Sequence, residues 1–338
     1  MLDKTDIVIV GYGNVGRGVH KAIERNPDMN LVGIISRSPE RVIGELGTSV
    51  EVFNQNAILK NEINQPVANV AILCGGSKND LPEQGHIFAN RYNTVDSFDT
   101  HADIPEYFKK MSQAASFQSH TSVVCAGWDP GTFSVNRVLM DAYLPGAKPQ
   151  EFYGLTEKGG LSMGHSDAIR TIKGVKDARQ YTHAIKGAIN RVRNGENPDL
   201  TKRQEHRREC LVVFEDGLDQ EERLRISQEI VEMDNYFKPY DTSVCGVTQE
   251  ELDRSHSAMP HDGLVLAVGE TGDGNYASIE YKNVWQSNPE ATGNILVPCA
   301  RACHEMNKTK RFGAYTMLDL SPADLSIHSQ EELLSNFV

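Results

Sequence analysis

Ile7-Val8-Ile9-Val10-Gly11-Tyr12-Gly13-Asn14-Val15-Gly16 is the stretch whose reading decides the fold. Its first four residues form an unbroken apolar run, which suits a strand buried on both faces of a parallel sheet. The next six match Gly-x-Gly-x-x-Gly. In such a loop the first glycine permits a tight turn and the second lets backbone approach a pyrophosphate. The third lets the following helix pack on the strand with its N–H groups aimed at the phosphates. The expected helix carries Val15, Val19, Ala22 and Ile23 on one face and stops at Asn26-Pro27. A glycine-rich turn alone is weak evidence. Here a strand precedes it, a helix follows, and a second strand, Leu31-Val32-Gly33-Ile34-Ile35, comes next, which is the context the motif requires. Gly11, Tyr12, Gly13, Asn14, Val15 and Gly16 are therefore the first candidate cofactor residues.

The end of the second strand bears on which dinucleotide binds. An NAD site usually places an acid there, for the ribose 2′-hydroxyl. This chain has Ser36-Arg37-Ser38, a hydroxyl and a guanidinium suited to a 2′-phosphate, so NADP is the expected cofactor. The βα alternation then continues. Val70–Leu73 reads as a buried strand ending in the small-residue turn Cys74-Gly75-Gly76-Ser77, which belongs beside the cofactor crevice; Cys74, Gly75 and Ser77 join the candidates. Helices are expected near Pro82–Ala89 and Pro105–Ala115, and strands at Thr94-Val95-Asp96 and Ser122–Ala126. The fold class is α/β, a Rossmann-type doubly wound parallel sheet.

Two clusters follow late strands of that sheet: Asp96-Ser97-Phe98-Asp99-Thr100-His101 and Gly127-Trp128-Asp129-Pro130-Gly131. Carboxylates and an indole meeting in one crevice would suit an ammonium group. Singly, Asp99 reads equally well as a turn cap and Asp-Pro-Gly as ordinary turn chemistry. A helix is expected near Phe133–Tyr143. Beyond residue 150 the pattern changes, with strand candidates at Phe152–Leu155, Gln180–Ile185, Cys210–Glu215, Leu264–Val268 and Ala277–Tyr281, and helical periodicity over Gln220–Met233. This predicts a second α+β unit with a largely open sheet. The polar run Asn194–Arg208 reads as a solvated linker or as a loop bringing cations to a substrate. The expected division is residues 1–126 for the dinucleotide and 127–292 for substrate binding and dimerisation. The segment from about 293 to 338 should pack back on the first domain.

Composition narrows the class. The 338 residues carry 34 Lys+Arg against 46 Asp+Glu, a net charge of −12. That argues against non-specific nucleic-acid binding, which needs a basic face. The start, MLDKTDIVIV, lacks the basic region and long apolar core of a signal peptide, and no run approaches a membrane span, so a cytoplasmic location is expected. The six cysteines (Cys74, Cys125, Cys210, Cys245, Cys299, Cys303) contain no Cys-x-x-Cys pair, so neither a disulfide framework nor a metal site is expected. Cys299 and Cys303 would share a helix face as small buried apolar groups.

Gly-Tyr-Gly-Asn at 11–14, Thr-Val-Asp at 94–96, Gly-Trp-Asp-Pro-Gly at 127–131 and Gly-His-Ser-Asp-Ala at 164–168 resemble the meso-diaminopimelate dehydrogenase family. Gln-Tyr-Thr at 180–182, Met-Pro-His at 259–261 and Asn288-Pro289 extend the resemblance almost to the C-terminus. It implies a homodimer or larger assembly. The implied reaction is reversible: meso-diaminopimelate, NADP⁺ and water give L-2-amino-6-oxopimelate, ammonia and NADPH, in lysine and cell-wall synthesis. It further implies that Asp96, Asp99 and Asp129 hold the D-centre amine, with Asp129 handling the proton and Asp96 also touching the cofactor. Trp128, Met163 and Gly164 would lie beside the amine. Thr182, Arg208, His261 and Asn288 would bind the distal L-centre, Arg208 offering a fork for its carboxylate.

Two departures stand out. Residues 156–160 lack the tryptophan that some members carry before Gly-Leu-Ser, and Met163 replaces a glutamine. A thioether in place of an amide removes hydrogen-bonding groups from the pocket wall, so some turnover of other D-amino acids is expected. The competing readings are a dihydrodipicolinate reductase or homoserine dehydrogenase, and a non-catalytic NADP(H)-binding sensor. A reductase calls for a lysine-rich substrate loop, whereas Lys158 and Lys173 lack a clustered motif. A sensor needs no convergent charges, which Trp128-Asp129 and Arg208 contradict. Replacing Arg37 by Ala is expected to weaken NADP⁺ binding far more than NAD⁺ binding in coenzyme titrations; equal losses would remove its 2′-phosphate role.

Overall fold

The structure, a computed structural model, describes residues 4–234 and 236–338. The chain divides into two compact units: residues up to Val135 together with Pro289–Val338, and Asn136–Asn288.

In the first unit the apolar runs become β1 (Thr5–Val10), β2 (Met29–Ser36), β3 (Val52–Asn54), β4 (Val70–Leu73), β5 (Asn93–Asp96) and β6 (Thr121–Val123). The second unit holds β7 (Gln150–Tyr153), β8 (Gly160–Leu161), β9 (Val175–Ala184), β10 (His206–Phe214), β11 (Asp241–Gly246), β12 (His261–Gly272) and β13 (Asn275–Trp285). The chain then returns to add β14 (Gly313–Tyr315) to the first sheet.

That first sheet runs β14-β6-β5-β4-β1-β2-β3 with every pairing parallel. The order reverses between β1 and β4, so the crevice beyond their C-terminal ends is the place for a ligand. Every residue of β4 and β5 is buried, because helices cover both faces. Alternation along the strands sorts the core into two layers. Ile7, Ile9, Ile34, Ile72 and Val95 pack with Val19, Ala22, Ile23 and the helix Asn288–Lys308. Val8, Val10, Ile35, Ala71 and Leu73 pack with Leu81, Phe88, Tyr107 and Met111 on the other side. Cys299 and Cys303 are free and buried in the first layer, as their spacing suggests.

The second unit carries two sheets rather than one open sheet. One is β11-β10-β9-β8, antiparallel apart from the parallel β10–β11 pair; the other, β13-β12-β7, is antiparallel throughout. The polar run 194–208 turns out to be a linker only in part. It ends in a short helix, Lys202–Glu205, and in the first residues of β10, so Arg208 sits on a strand. β11 escaped sequence reading because it is an edge strand, largely exposed and without an apolar face. Residues 127–135 and 289–292, assigned to the second domain by sequence, fall in the first unit. Val135 packs on its core, and Glu290 pairs with Lys21 at 2.7 Å. Among the described residues no helix is long and apolar enough to cross a membrane.

The returning helix is tied down by a buried ion pair. Arg301 Nε donates to Asp28 Oδ2 at 2.5 Å and Nη2 to Oδ1 at 2.9 Å, while Nη2 also reaches Asn26 Oδ1 and Nη1 reaches the Leu325 carbonyl. The two side chains are 10% and 11% exposed. Removing one partner of such a pair strands the other charge, at a cost of roughly 3–5 kcal/mol. Arg301→Met is therefore expected to lower the denaturation midpoint sharply, and adding Asp28→Asn to recover much of the loss.

Candidate active site

At the end of β1, Gly11 adopts φ +92° and Gly16 approaches so closely that a Cβ on it would stand 2.2 Å from the Gly11 carbonyl oxygen. Only glycine fits at 16, and this contact seats the helix Asn14–Glu24 against the strand. A Cβ on Gly13 would meet nothing within 4 Å, so the loop's outer side is open to a ligand. A cavity of about 280 Å³ lies there. It is lined by Gly11, Tyr12 and Gly13, by Ser36 and Arg37 from the end of β2, by Cys74 and Gly75 from the end of β4, and by Arg41, Asp80 and Gln84. Asn14, Val15, Gly16, Ser77 and Asp96, also expected at the cofactor, do not line this cavity.

The cavity's charges fit a phosphorylated ribose. No acid ends β2, and Arg41 donates to the Tyr12 carbonyl at 2.7 Å, so a second guanidinium stands near Arg37. Arg37 itself pairs with Asp80 at 3.0 Å. Asp80 also accepts from the Gly76 N–H at 3.0 Å, anchoring Arg37 to the turn after β4. Sequence reading missed Asp80 and Arg41. Arg41 could have been found from its place in the first turn of the helix Pro39–Leu46 that follows Arg37.

The Asp96 carboxylate departs from expectation. It is fully buried and does not open to a ligand. Oδ1 accepts from the Phe98 N–H at 3.0 Å and the Cys125 N–H at 3.1 Å, and Oδ2 accepts from the Tyr107 hydroxyl at 2.8 Å. Cys125 is held in the left-handed region, φ +56°, which is costly for a residue with a Cβ. One carboxylate thus ties together the two loops that carry Asp99 and Trp128-Asp129. Burial pushes its pKa up to about 6 despite those three donors.

Asp99 keeps surface open to water, and its backbone N–H donates to Ser77 Oγ at 3.2 Å. Crowding by protein raises its pKa above the ordinary carboxylate value. The Ser77 hydroxyl and His101 oppose this, and the charge of Asp129 adds to it. The charge of Asp129 thus reaches Asp99. Trp128 is buried, with its ring 4.6 Å from that of Phe133.

The second unit gathers another group. Arg208 on β10 lies opposite Thr182 on β9 and donates to its hydroxyl. The guanidinium stacks on Tyr240 at 4.1 Å from the ring centre and is 8% exposed. Among the described residues no carboxylate lies within ion-pair distance of it. Its field reaches His165 and His206, whose pKa values fall to about 3, chiefly through burial and then through the Arg208 charge. A buried cation without a counter-charge is costly, so the arrangement calls for an anion from outside. His261 begins β12, and Asn288 is fixed by its N–H to the Met259 carbonyl at 2.7 Å and its amide to the Leu161 carbonyl at 3.4 Å. Met163 opens the helix Met163–Arg170 and packs against the apolar group of Leu161, Tyr181, Leu211 and Leu252, while Gly164 is exposed. Among the described residues no cluster of three or more metal-ligating side chains occurs.

The profile of the diaminopimelic acid dehydrogenase C-terminal domain matches residues 127–287. A meso-diaminopimelate D-dehydrogenase of Lysinibacillus sphaericus is 47% identical over 326 residues, covering 96% of each chain. The solved diaminopimelate dehydrogenase of C. glutamicum in complex with DAP superposes with a TM-score of 0.90 at 38% identity, covering all of both chains. An engineered D-amino acid dehydrogenase bound to NADP⁺ gives 0.87 at 37%, covering 99% of this chain and all of that one.

The Asp96 network makes a stability prediction. Its folded-state pKa, about 6, exceeds the usual unfolded value near 3.9, so its contribution is present at low pH and lost as pH rises through 6. The cost above pH 6 is on the order of 3 kcal/mol. Asp96→Asn removes the charge and keeps an acceptor for the two N–H groups, while the Tyr107 hydroxyl can rotate to accept. The variant should be no less stable than wild type at pH 7.5 and should lack the decline between pH 4 and 6.5. A loss of several kcal/mol at pH 7.5 would refute the assignment.

Proposed function

Because the chain belongs to the diaminopimelate dehydrogenase family, we propose that it catalyses NADP-dependent, reversible oxidative deamination at the D-centre of meso-2,6-diaminopimelate, releasing ammonia and L-2-amino-6-oxopimelate. The observation that carries the substrate assignment is Arg208: a buried guanidinium, bound to Thr182 and stacked on Tyr240, with no carboxylate of its own. The distal L-centre carboxylate supplies that missing charge, with His261 and Asn288 adding contacts. A fork of N–H donors in a partly dry setting suits a carboxylate well.

The first unit is the dinucleotide-binding domain in this reading, and the second is the substrate-binding and dimerisation domain. Gly11–Gly16 would hold the pyrophosphate, and Ser36, Arg37 and Arg41 the 2′-phosphate. NADP⁺, when bound, supplies the two-electron oxidant. The chain's own residues manage the amine. Asp99 and Asp129 hold the D-centre ammonium beside Trp128, and one of them takes its proton. Asp129 is assigned the proton, with Asp99, whose pKa is raised by burial and by the Asp129 charge, as its neighbour. Asp96 acts through the loops it holds. The enzyme is further proposed to be cytoplasmic and to work as a homodimer or larger. In support of the latter, β13 is a long exposed edge strand carrying Tyr276 and Val284 at its surface.

The test is NADPH formation from meso-diaminopimelate with stoichiometric ammonia release; no turnover would sink the proposal. Arg208→Ala should lower kcat/KM mainly through KM, by roughly 2–4 kcal/mol, whereas an unchanged KM would leave the carboxylate elsewhere. With Met163 in place of an amide, measurable rates on D-alanine or D-lysine are also expected.

A further inference from the structure

Gln180 lies on β9 two residues before Thr182, so both side chains project from the same face of the strand. It is fully buried. Its Nε2 donates to Thr182 Oγ1 at 3.4 Å, and Arg208 donates to the same oxygen from the adjacent strand. A hydroxyl has two lone pairs and one hydrogen. With both lone pairs engaged, the Thr182 hydrogen can only be directed away from these donors, and among the described residues it meets no protein acceptor. The backbone of Gln180 is itself clamped. Its N–H donates to Ser166 Oγ at 2.9 Å, and its carbonyl accepts from the Ser162 N–H at 3.0 Å, joining it to the start of the helix that carries Met163 and Gly164. The Gln180 Oε1 has no hydrogen-bond partner among the described residues, so the amide leaves a buried acceptor unsatisfied.

We propose that Gln180 is a positioning residue that orients the Thr182 hydroxyl as a donor to the substrate's distal carboxylate, acting together with Arg208. This rests on the reading of Thr182 and Arg208 given above. The carboxylate then receives one charge-assisted hydrogen bond from the hydroxyl in addition to the guanidinium. Without Gln180, only the Arg208 donor constrains the hydroxyl, whose hydrogen can then turn away from the carboxylate and weaken the added bond.

A double-mutant cycle tests this, with wild-type turnover of meso-diaminopimelate measured first. Absence of that turnover counts against the substrate reading; normal turnover with a failed cycle counts against Gln180 alone. Gln180→Leu is expected to raise KM about 5–20-fold with kcat within about twofold. Thr182→Val should do at least as much, and the double variant should be no worse than Thr182→Val alone. Multiplying losses, a kcat decrease as large as the KM increase, or no effect of Gln180→Leu would each overturn the assignment. Circular dichroism melts establish that the variants are folded; if Gln180→Leu is not, the cycle is run with Gln180→Met, an unbranched replacement without a donor.

Discussion

A parallel sheet covered on both faces offers chemistry only at its strand ends, and that constraint organises the first unit. β4 and β5 bury every residue, so polar groups that serve a ligand must stand in the loops just beyond them. The strand order places the reversal between β1 and β4, where the glycine loop and the Cys74-Gly75 turn face one cavity. The chain must also come back after its second unit to cover this sheet. The buried Arg301–Asp28 pair fastens that return.

Charge is handled in opposite ways in the two units. In the first, a carboxylate is buried and saturated with donors. Asp96 takes two backbone N–H groups and a tyrosine hydroxyl, and in doing so sets the loops that bear Asp99 and Trp128-Asp129. In the second, a guanidinium is buried and left without a counter-ion, resting on an aromatic face and a single hydroxyl. The first arrangement is complete within the protein and serves as scaffold. The second leaves a charge uncompensated among the described residues, which is electrostatically costly.

Much of this was legible in the chain itself. The run Ile7–Val10 followed by Gly11–Gly16, and the Ser36-Arg37 end of the second strand, carry local signals. Strand burial, turn chemistry and cofactor preference depend on residues adjacent in sequence. The same holds for the helix faces and for the strands at the centre of the second unit. The residues proposed for the distal site, Thr182, Arg208, His261 and Asn288, came instead from family resemblance. Nothing local distinguishes Arg208 from the other cations of residues 194–208.

What only the tertiary structure decided are relations between residues far apart in the chain. That Asp96 is scaffold follows from its meeting Cys125 and Tyr107, and no pattern around residue 96 encodes those bonds. That Arg208 lacks a partner follows from the register pairing it with Thr182 and from the ring of Tyr240 beneath it. Likewise, Asp80 holds Arg37 because the turn after β4 comes beside the end of β2. The glycine loop together with its flanking strands and helix specified a dinucleotide fold, since a tight turn, a close approach and strand burial are local demands on the chain. Which charges are satisfied and which are left unpaired depends on burial and pairing, and those exist only once the chain has folded.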